Sequence, residues 1–82
     1  MSTRSKLLDD IVTRYVVVIS RYVKIHKMHN FTEFMNTQVR SPLGRISMIK
    51  QLTKIHSKAT VSDKKEINNI IDLLQFYDVY VD

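Results

Sequence analysis

Three histidines are the residues of this 82-residue chain whose type could bind a transition metal. Two of them, His26 and His29, are spaced so that one turn of a helix would bring their imidazoles together. A structural zinc site normally takes four ligands from cysteine and histidine, but the chain contains no cysteine and only one further histidine, His56. No carboxylate stands at a suitable spacing to complete the set. The sequence therefore predicts no metal and no cofactor, with His26 at the core edge and the other two histidines at surface or boundary positions.

Serine and threonine are plentiful, but their surroundings lack the pattern that activates a hydroxyl nucleophile. Such a nucleophile sits in a strained turn beside backbone donors for an oxyanion, and glycine usually makes that turn possible. Gly44 is the only glycine, which also argues against a glycine-rich phosphate-binding loop. The sequence therefore predicts no catalytic residues and a protein that is not an enzyme.

Basic residues recur along one face of residues 42–58. Lys50, Lys54 and Lys58 stand at every fourth position, so a helix would align them as a lysine stripe, and Arg45 precedes them. A lysine stripe suits phosphates better than base edges, and the residues around Ser41 do not have the form of a helix-turn-helix. These four basic residues are candidates for partner binding. The partner would be an acidic protein or, as the alternative, nucleic acid; a solvated helix face would carry the same pattern.

A short run from Thr37 to Ile46 resembles the phosphoacceptor segment of bacterial sensor histidine kinases. Arg40-Ser41-Pro42-Leu43 is the specific part of the resemblance. In that family a histidine and an acidic residue stand where this chain has Thr37 and Gln38. The resemblance implies a helical hairpin that dimerises into a four-helix bundle, without a phosphoacceptor and without an ATP-binding domain. What would remain is a dimeric helical mimic of a kinase dimerisation domain.

Helical periodicity extends over nearly all of residues 6–80 and places these side chains. The first helix is predicted over residues 7–28, with apolar residues on about half of its circumference. We favour an ordinary core-facing helix, although the spacing also fits a coiled-coil seam. The other helices of so short a chain are not expected to cover this arc fully, so a homodimer or another partner is expected to cover the rest. The residues of the potential seam are Leu8, Ile11, Tyr15, Val18, Tyr22 and Ile25.

The second helix is predicted over residues 30–39, where Asn30 and Glu33 form a capping-box pattern. Pro42 then leaves two interpretations open. Ser41 and Pro42 fit the N-cap and first position of a new helix, whereas the apolar phase continues through Pro42 as in one kinked helix. An interior proline costs about 3 kcal/mol or more, which tertiary packing would have to offset. The arc that continues through Pro42 includes Leu43. The apolar side of residues 42–58 comprises Ile46, Met48, Ile49, Leu52 and Ile55, and Arg45 and His56 also fall within it.

The C-terminal part predicts a last helix and a distinct tail. Thr60 or Ser62 is the expected N-cap after a linker over residues 59–61, and the first turn is acidic, as the helix dipole favours. The predicted buried face comprises Ile67, Ile70, Ile71, Leu73, Leu74 and Tyr77. Phe76, Val79 and Tyr80 leave that face. We predict that they bind a partner, in a tail that is either extended or presents its aromatic side chains.

Together these elements predict an all-α fold of three to four helices, a small bundle with a C-terminal helical hairpin, in a single domain over residues 1–82. Hydrophobic residues make up 44% and charged residues 26%, a balance typical of folded globular chains. Residues 1–58 carry eleven basic and three acidic residues, whereas residues 59–82 carry two basic and five acidic ones. The two parts can therefore pair with each other or with an acidic partner. No apolar run approaches a membrane span and no signal peptide is evident, so we expect a cytoplasmic location.

The size, the absence of cysteine and a composition rich in isoleucine, lysine, asparagine and tyrosine are similar to those of small cytoplasmic regulators of virulent bacteriophages. More narrowly, the chain resembles the RIII family of lysis-inhibition accessory proteins of T-even phages. That resemblance implies a cytoplasmic antiholin, which binds the cytoplasmic part of the holin and delays lysis of the host. The residues themselves predict a small, basic, non-catalytic regulatory protein that acts by protein–protein interaction; a nucleic-acid-binding regulator is the alternative.

Overall fold

The computed structural model describes the backbone of residues 3–81 and the side chains of residues 6–79. Every regular element in that range is a helix, which confirms the all-α prediction. The tail forms a short helix of its own, so there is one helix more than the three to four predicted. The helices are α1 (Thr3–Ser20), α2 (Met28–Gln38), α3 (Pro42–His56), α4 (Val61–Gln75) and α5 (Tyr77–Val81).

The buried apolar side chains form one cluster, to which α1, α3 and α4 contribute most. α3 packs against α4 as the predicted C-terminal hairpin, α1 packs against both α2 and α4, and α5 contacts α1 and α4. Each long helix turns one apolar stripe inward, as the 3.6-residue period requires. Of the predicted α4 face, Ile71 and Leu73 are only partly buried and the other four residues are fully buried. The largest fully buried side chains include Ile11, Ile19, Met48, Leu52, Ile67 and Ile70.

The first helix ends at Ser20, not at Met28 as predicted, and residues 21–27 form a turn and loop. Tyr22 supplies the physical reason. Its hydroxyl donates a hydrogen bond to Oδ2 of Asp63 at 2.6 Å and accepts one from the backbone N–H of Thr60 at 3.1 Å. Both bonds hold the chain at the start of α4. Apolar side chains of the loop still pack partly against the core, which is why the apolar period continues beyond the helix.

The apolar arc of α1 is covered by the chain itself. Leu8, Ile11, Tyr15 and Val18 are all buried, and the exposed large apolar residue on this helix is Val17. The core-facing interpretation is therefore confirmed. The expectation that part of the arc stays open for a second chain is wrong, because α2 and α4 pack on α1 from two sides.

The second helix begins at Met28 with Lys27 as N-cap, so the predicted capping box at Asn30 does not form. The backbone N–H of Phe31 already bonds to the carbonyl of Lys27 at 3.0 Å, which places Asn30 inside the helix. Glu33 lies instead 3.2 Å from Nε2 of His29, one turn earlier on the same exposed face.

The chain turns a corner at Ser41, and a new helix starts at Pro42. Ser41 has an extended backbone, with φ −105° and ψ 135°, and its hydroxyl accepts a hydrogen bond from the backbone N–H of Gly44 at 3.4 Å. Of the two interpretations, the single kinked helix is thus wrong. The corner is tight, because a Cβ atom on Gly44 would overlap the carbonyl oxygen of Gln38. This close approach explains why residue 44, in the first turn of α3, is a glycine.

Candidate partner-binding surface

Two arginines of the basic part pair with acidic residues of α4. Arg14 holds Glu66 with two hydrogen bonds, Nε to Oε2 at 3.1 Å and Nη2 to Oε1 at 2.5 Å. Arg21 bonds to Oδ1 of Asp63, whose other oxygen accepts from Tyr22. The prediction that the two parts of the chain can pair with each other is therefore confirmed at these residues. Both pairs join α1 or the loop after it to the first turns of α4, so their role is structural.

These contacts lower the pKa values of both carboxyl groups. For Asp63 the hydrogen bond from the Tyr22 hydroxyl is the largest cause and the charge of Arg21 adds to it, against the opposing effect of burial. For Glu66 the hydrogen bonds from Arg14 are the largest cause. A carboxyl whose pKa is lower in the folded than in the unfolded chain stabilises the fold above its unfolded pKa. That contribution is lost as the pH falls through the folded pKa.

Acid unfolding tests this pairing. Because both pKa values are lowered, we expect the wild type to lose stability as the pH falls from about 5 to about 3, around the unfolded pKa values near 4. Asp63→Asn should be less stable at pH 7 and should depend less on pH across that window. The double variant Asp63→Asn/Glu66→Gln should show a still weaker dependence of stability on pH. Urea unfolding at pH 7, 5, 4 and 3 measures both effects, and an acid dependence in the double variant equal to that of the wild type would contradict the assignment.

Arg45 is buried, although the sequence grouped it with the exposed lysines as a partner-binding candidate. Its Nη1 donates to the carbonyl of Val39 at 2.8 Å, and its guanidinium lies over the ring of Tyr77, 4.0 Å from the centroid. Nη2 is 3.8 Å from Oδ1 of Asp78. Arg45 thus connects the corner before α3 to α5, and these internal contacts leave little of it accessible to a partner.

Lys50 and Lys54 of the predicted lysine stripe lie on the solvent side of α3, whereas Lys58 lies in the turn after the helix, which ends at His56. Lys50, Lys54 and Lys58 are exposed, and none of the three forms an ion pair with another residue that the structure describes. Lys50 and Lys54 are four residues apart, which is about 6 Å along α3 at 1.5 Å per residue. The three exposed lysines are therefore available to an acidic partner.

Four large apolar side chains are exposed in two segments that the contact between Arg45 and Tyr77 joins, the first turns of α3 and the chain around α5. We call this set the apolar end: Leu43, Ile46, Phe76 and Val79. Phe76 and Val79, predicted from the sequence, are 49% and 74% exposed. Leu43 and Ile46 are 78% and 50% exposed, although the sequence predicted both on the apolar arc of α3. In the first turns of α3 the buried face differs from the predicted one, because Gly44 and Arg45 face the core where Leu43 and Ile46 were expected.

α5 and the first turn of α3 lie together at this end. Pro42, Arg45, Tyr77 and Asp78 line one shallow depression between them. The side chain of Tyr80, the third residue predicted in the tail, lies outside the described residues. Large apolar side chains exposed on neighbouring segments are typical of interaction surfaces.

An apolar cleft that the sequence did not predict opens between α1, α2 and α3, with a volume of about 180 Å³. Tyr15 and Phe31 stack along it with ring centroids 6.4 Å apart, and burial raises the pKa of Tyr15 to about 12, so its hydroxyl stays protonated. Phe34 is half exposed at the opening. The remaining lining residues are Ile19, Val23, Met35, Gln38, Ser47, Met48 and Gln51. Only the aromatic spacing of α2 could have indicated this cleft.

The histidines are dispersed. His26 is exposed, not at the core edge as predicted; His29 lies beside Glu33; and His56 is half-buried on α3. Among the described side chains, no group of three or more His, Cys, Asp or Glu residues is placed to hold a metal ion.

The segment that resembles the sensor-kinase motif spans the end of α2 and the start of α3. The Thr37 hydroxyl, at the histidine position of that motif, donates to the carbonyl of Glu33 at 3.4 Å. Ser41 caps α3 and Pro42 occupies its first turn. These residues thus have a local role in forming the helix boundary.

Comparisons with protein-family models, with curated proteins and with solved structures found no match to this chain. None of the helices between residues 3 and 81 combines the length and the apolar character that crossing a membrane requires.

Proposed function

We propose that the chain is a small, non-catalytic regulatory protein that acts by binding another protein. The observation that carries the proposal is the apolar end, where four large apolar side chains are exposed in the first turns of α3, at the junction of α4 with α5, and on α5. The fold buries nearly the whole apolar arc of α1, its longest helix, so the exposure of these four residues is a specific feature of this surface. Leaving them exposed costs solubility, and a partner that covers them compensates for that cost.

The partner we propose is the cytoplasmic part of a phage holin, with the chain acting as a cytoplasmic antiholin that delays host lysis. This assignment comes from the resemblance to the RIII family. The apolar end supports it as a surface on which a protein segment can dock, since interface cores are built from apolar and aromatic side chains with a polar rim. Arg45 supports it indirectly, because it holds α5 against α3 and so keeps the two halves of the surface together.

A direct binding titration tests the proposal. The purified full chain is titrated with the cytoplasmic segment of a T-even phage holin, carrying a fluorescent label, and anisotropy is followed. We expect saturable binding with a dissociation constant in the micromolar range or tighter, as for a specific interface of modest size. A labelled peptide of the same composition in scrambled order is the control. Equal binding of both peptides, or of neither, would remove the holin from consideration.

The exposed lysine stripe favours a second candidate function, binding to nucleic acid. Three lysines at one edge would contact phosphates, and such binding weakens steeply with added salt. A mobility shift on duplex DNA that disappears in Lys50→Ala/Lys54→Ala/Lys58→Ala would favour this function. We place it second, because a lysine-rich stripe suits phosphates better than base edges.

A further inference from the structure

The apolar cleft and the lysine stripe share one wall. Ser47 and Gln51 of α3 line the cleft, and Lys50 and Lys54 follow them by three residues. Residues three apart on a helix are neighbours, with about 5–6 Å between their Cβ atoms. Two exposed ammonium groups therefore flank an apolar opening on the same side of the molecule. Neither lysine has a carboxylate partner among the described residues.

The cleft has the size of one large apolar side chain. At about 180 Å³ it is close to apolar cavities of about 150 Å³ that accept benzene. Its floor includes the buried residues Ile19, Met35 and Met48, and the half-exposed ring of Phe34 lies at its mouth. The polar groups at the edge belong to Gln38, Ser47 and Gln51, which can bond to the backbone or side chains of an occupant. Such a cleft suits an aromatic or leucine anchor surrounded by polar groups.

We propose that this cleft binds an acidic helical segment of a protein partner. One Phe- or Leu-sized side chain of the segment enters the cleft, and carboxylates one helical turn apart pair with Lys50 and Lys54. The spacing of the two lysines along α3 is one turn, about 6 Å, which matches carboxylates at i and i+4 on the occupant. The proposal rests on the proposed function in that the occupant is part of a protein. It adds the cleft as a second surface, which adjoins the apolar end along α3 because Lys50 follows Ile46 by four residues, and it specifies the chemistry of the ligand.

The test uses the full chain and a labelled amphipathic helical peptide with one central Phe and, beside it on the helix, two glutamates four residues apart. Anisotropy measures the affinity at low salt for this peptide, for its Phe→Ala form and for its Glu→Gln form. We expect each altered peptide to bind about tenfold more weakly or worse, because the first lacks the anchor and the second the charges. A Gln peptide that binds as tightly as the Glu peptide, or a wild-type chain that binds neither, would overturn the proposal.

Matched variants of the chain locate the site. Lys50→Glu/Lys54→Glu should weaken binding about tenfold or more, because like charges then face each other. Lys64→Glu/Lys65→Glu on α4 changes the net charge by the same amount and should have less than about a threefold effect. Phe34→Ala removes an exposed wall of the cleft and should also weaken binding, whereas Val61→Ala, at a more exposed position on α4, should not. Equal losses in both lysine pairs would show non-specific attraction and overturn the site.

The same variants separate this inference from the proposed function. If the holin segment binds the wild type and both cleft variants, Lys50→Glu/Lys54→Glu and Phe34→Ala, equally well, and the acidic peptide does not bind, the cleft proposal fails and the proposed function stands. If the acidic peptide binds at the cleft and the holin segment does not bind, the cleft proposal stands and the holin is the wrong partner. Circular dichroism of each variant verifies that the fold is retained.

Discussion

Gly44→Ala should lower the free energy of unfolding by about 2 kcal/mol, as overpacking of a close contact does. In most helices the same substitution stabilises by roughly 0.5–1 kcal/mol, because glycine is the more flexible residue in the unfolded chain. Here the added Cβ would overlap the backbone carbonyl of Gln38, so α2 and α3 would have to move apart at the corner. For a domain of this size the expected decrease in Tm is roughly 10 °C.

Ser47→Ala is the matched control, since Ser47 is exposed on the same helix and alanine is the better helix former. It should leave stability unchanged or slightly higher. Removing the Gln38 side chain as well, in Gln38→Ala/Gly44→Ala, should not restore stability, because the overlap involves the main-chain oxygen. Thermal unfolding followed by circular dichroism measures all three variants. A Gly44→Ala chain as stable as the wild type would show that the corner is looser than described.

The helices could be predicted from the sequence because apolar residues recur with the helical period over most of the chain. The end of α1 could not, because it depends on Tyr22 reaching Asp63 some forty residues away. Apolar periodicity alone continues past Ser20 and gives no signal of the loop. The corner at Ser41 was open to two interpretations for a similar reason: local residues permit either, and the contact of Gly44 with the end of α2 decides between them.

The candidate surface was predictable in part. Phe76 and Val79 leave the apolar face of the predicted last helix, and both are exposed, although the chain forms the separate helix α5 from Tyr77. Arg45 was predicted both within the apolar arc and among the partner-binding candidates, and the structure places it in the arc. Its contacts with the Val39 carbonyl and the Tyr77 ring could not be predicted, because these groups come from two other parts of the chain. Because the Arg45 side chain points into the fold, Leu43 and Ile46 lie on the opposite side of α3 and are exposed. The cleft is formed by three helices together, so no single stretch of sequence contains it.

The double variant Phe76→Ala/Val79→Ala should retain the fold and lose partner binding. Both side chains are exposed, so truncating them removes few core contacts, and surface changes of this kind usually alter stability by less than about 0.5 kcal/mol. At an interface, truncating an anchor residue costs about 2 kcal/mol or more, which corresponds to a roughly thirtyfold weaker dissociation constant. Tyr77, between them in sequence, is buried under Arg45 and supplies the opposite control, because Tyr77→Ala should destabilise the fold.

The central claim, that the apolar end is a docking surface, is tested most directly by measuring Tm and holin-segment affinity on the same samples of wild type, Phe76→Ala/Val79→Ala and Val17→Ala. Val17 is an exposed apolar residue on α1, so its variant controls for loss of apolar surface elsewhere. We expect all three Tm values to agree within a few degrees and only the Phe76→Ala/Val79→Ala variant to lose affinity, by about thirtyfold. Unchanged affinity in that variant, or a loss of affinity that accompanies a large fall in Tm, would contradict the claim.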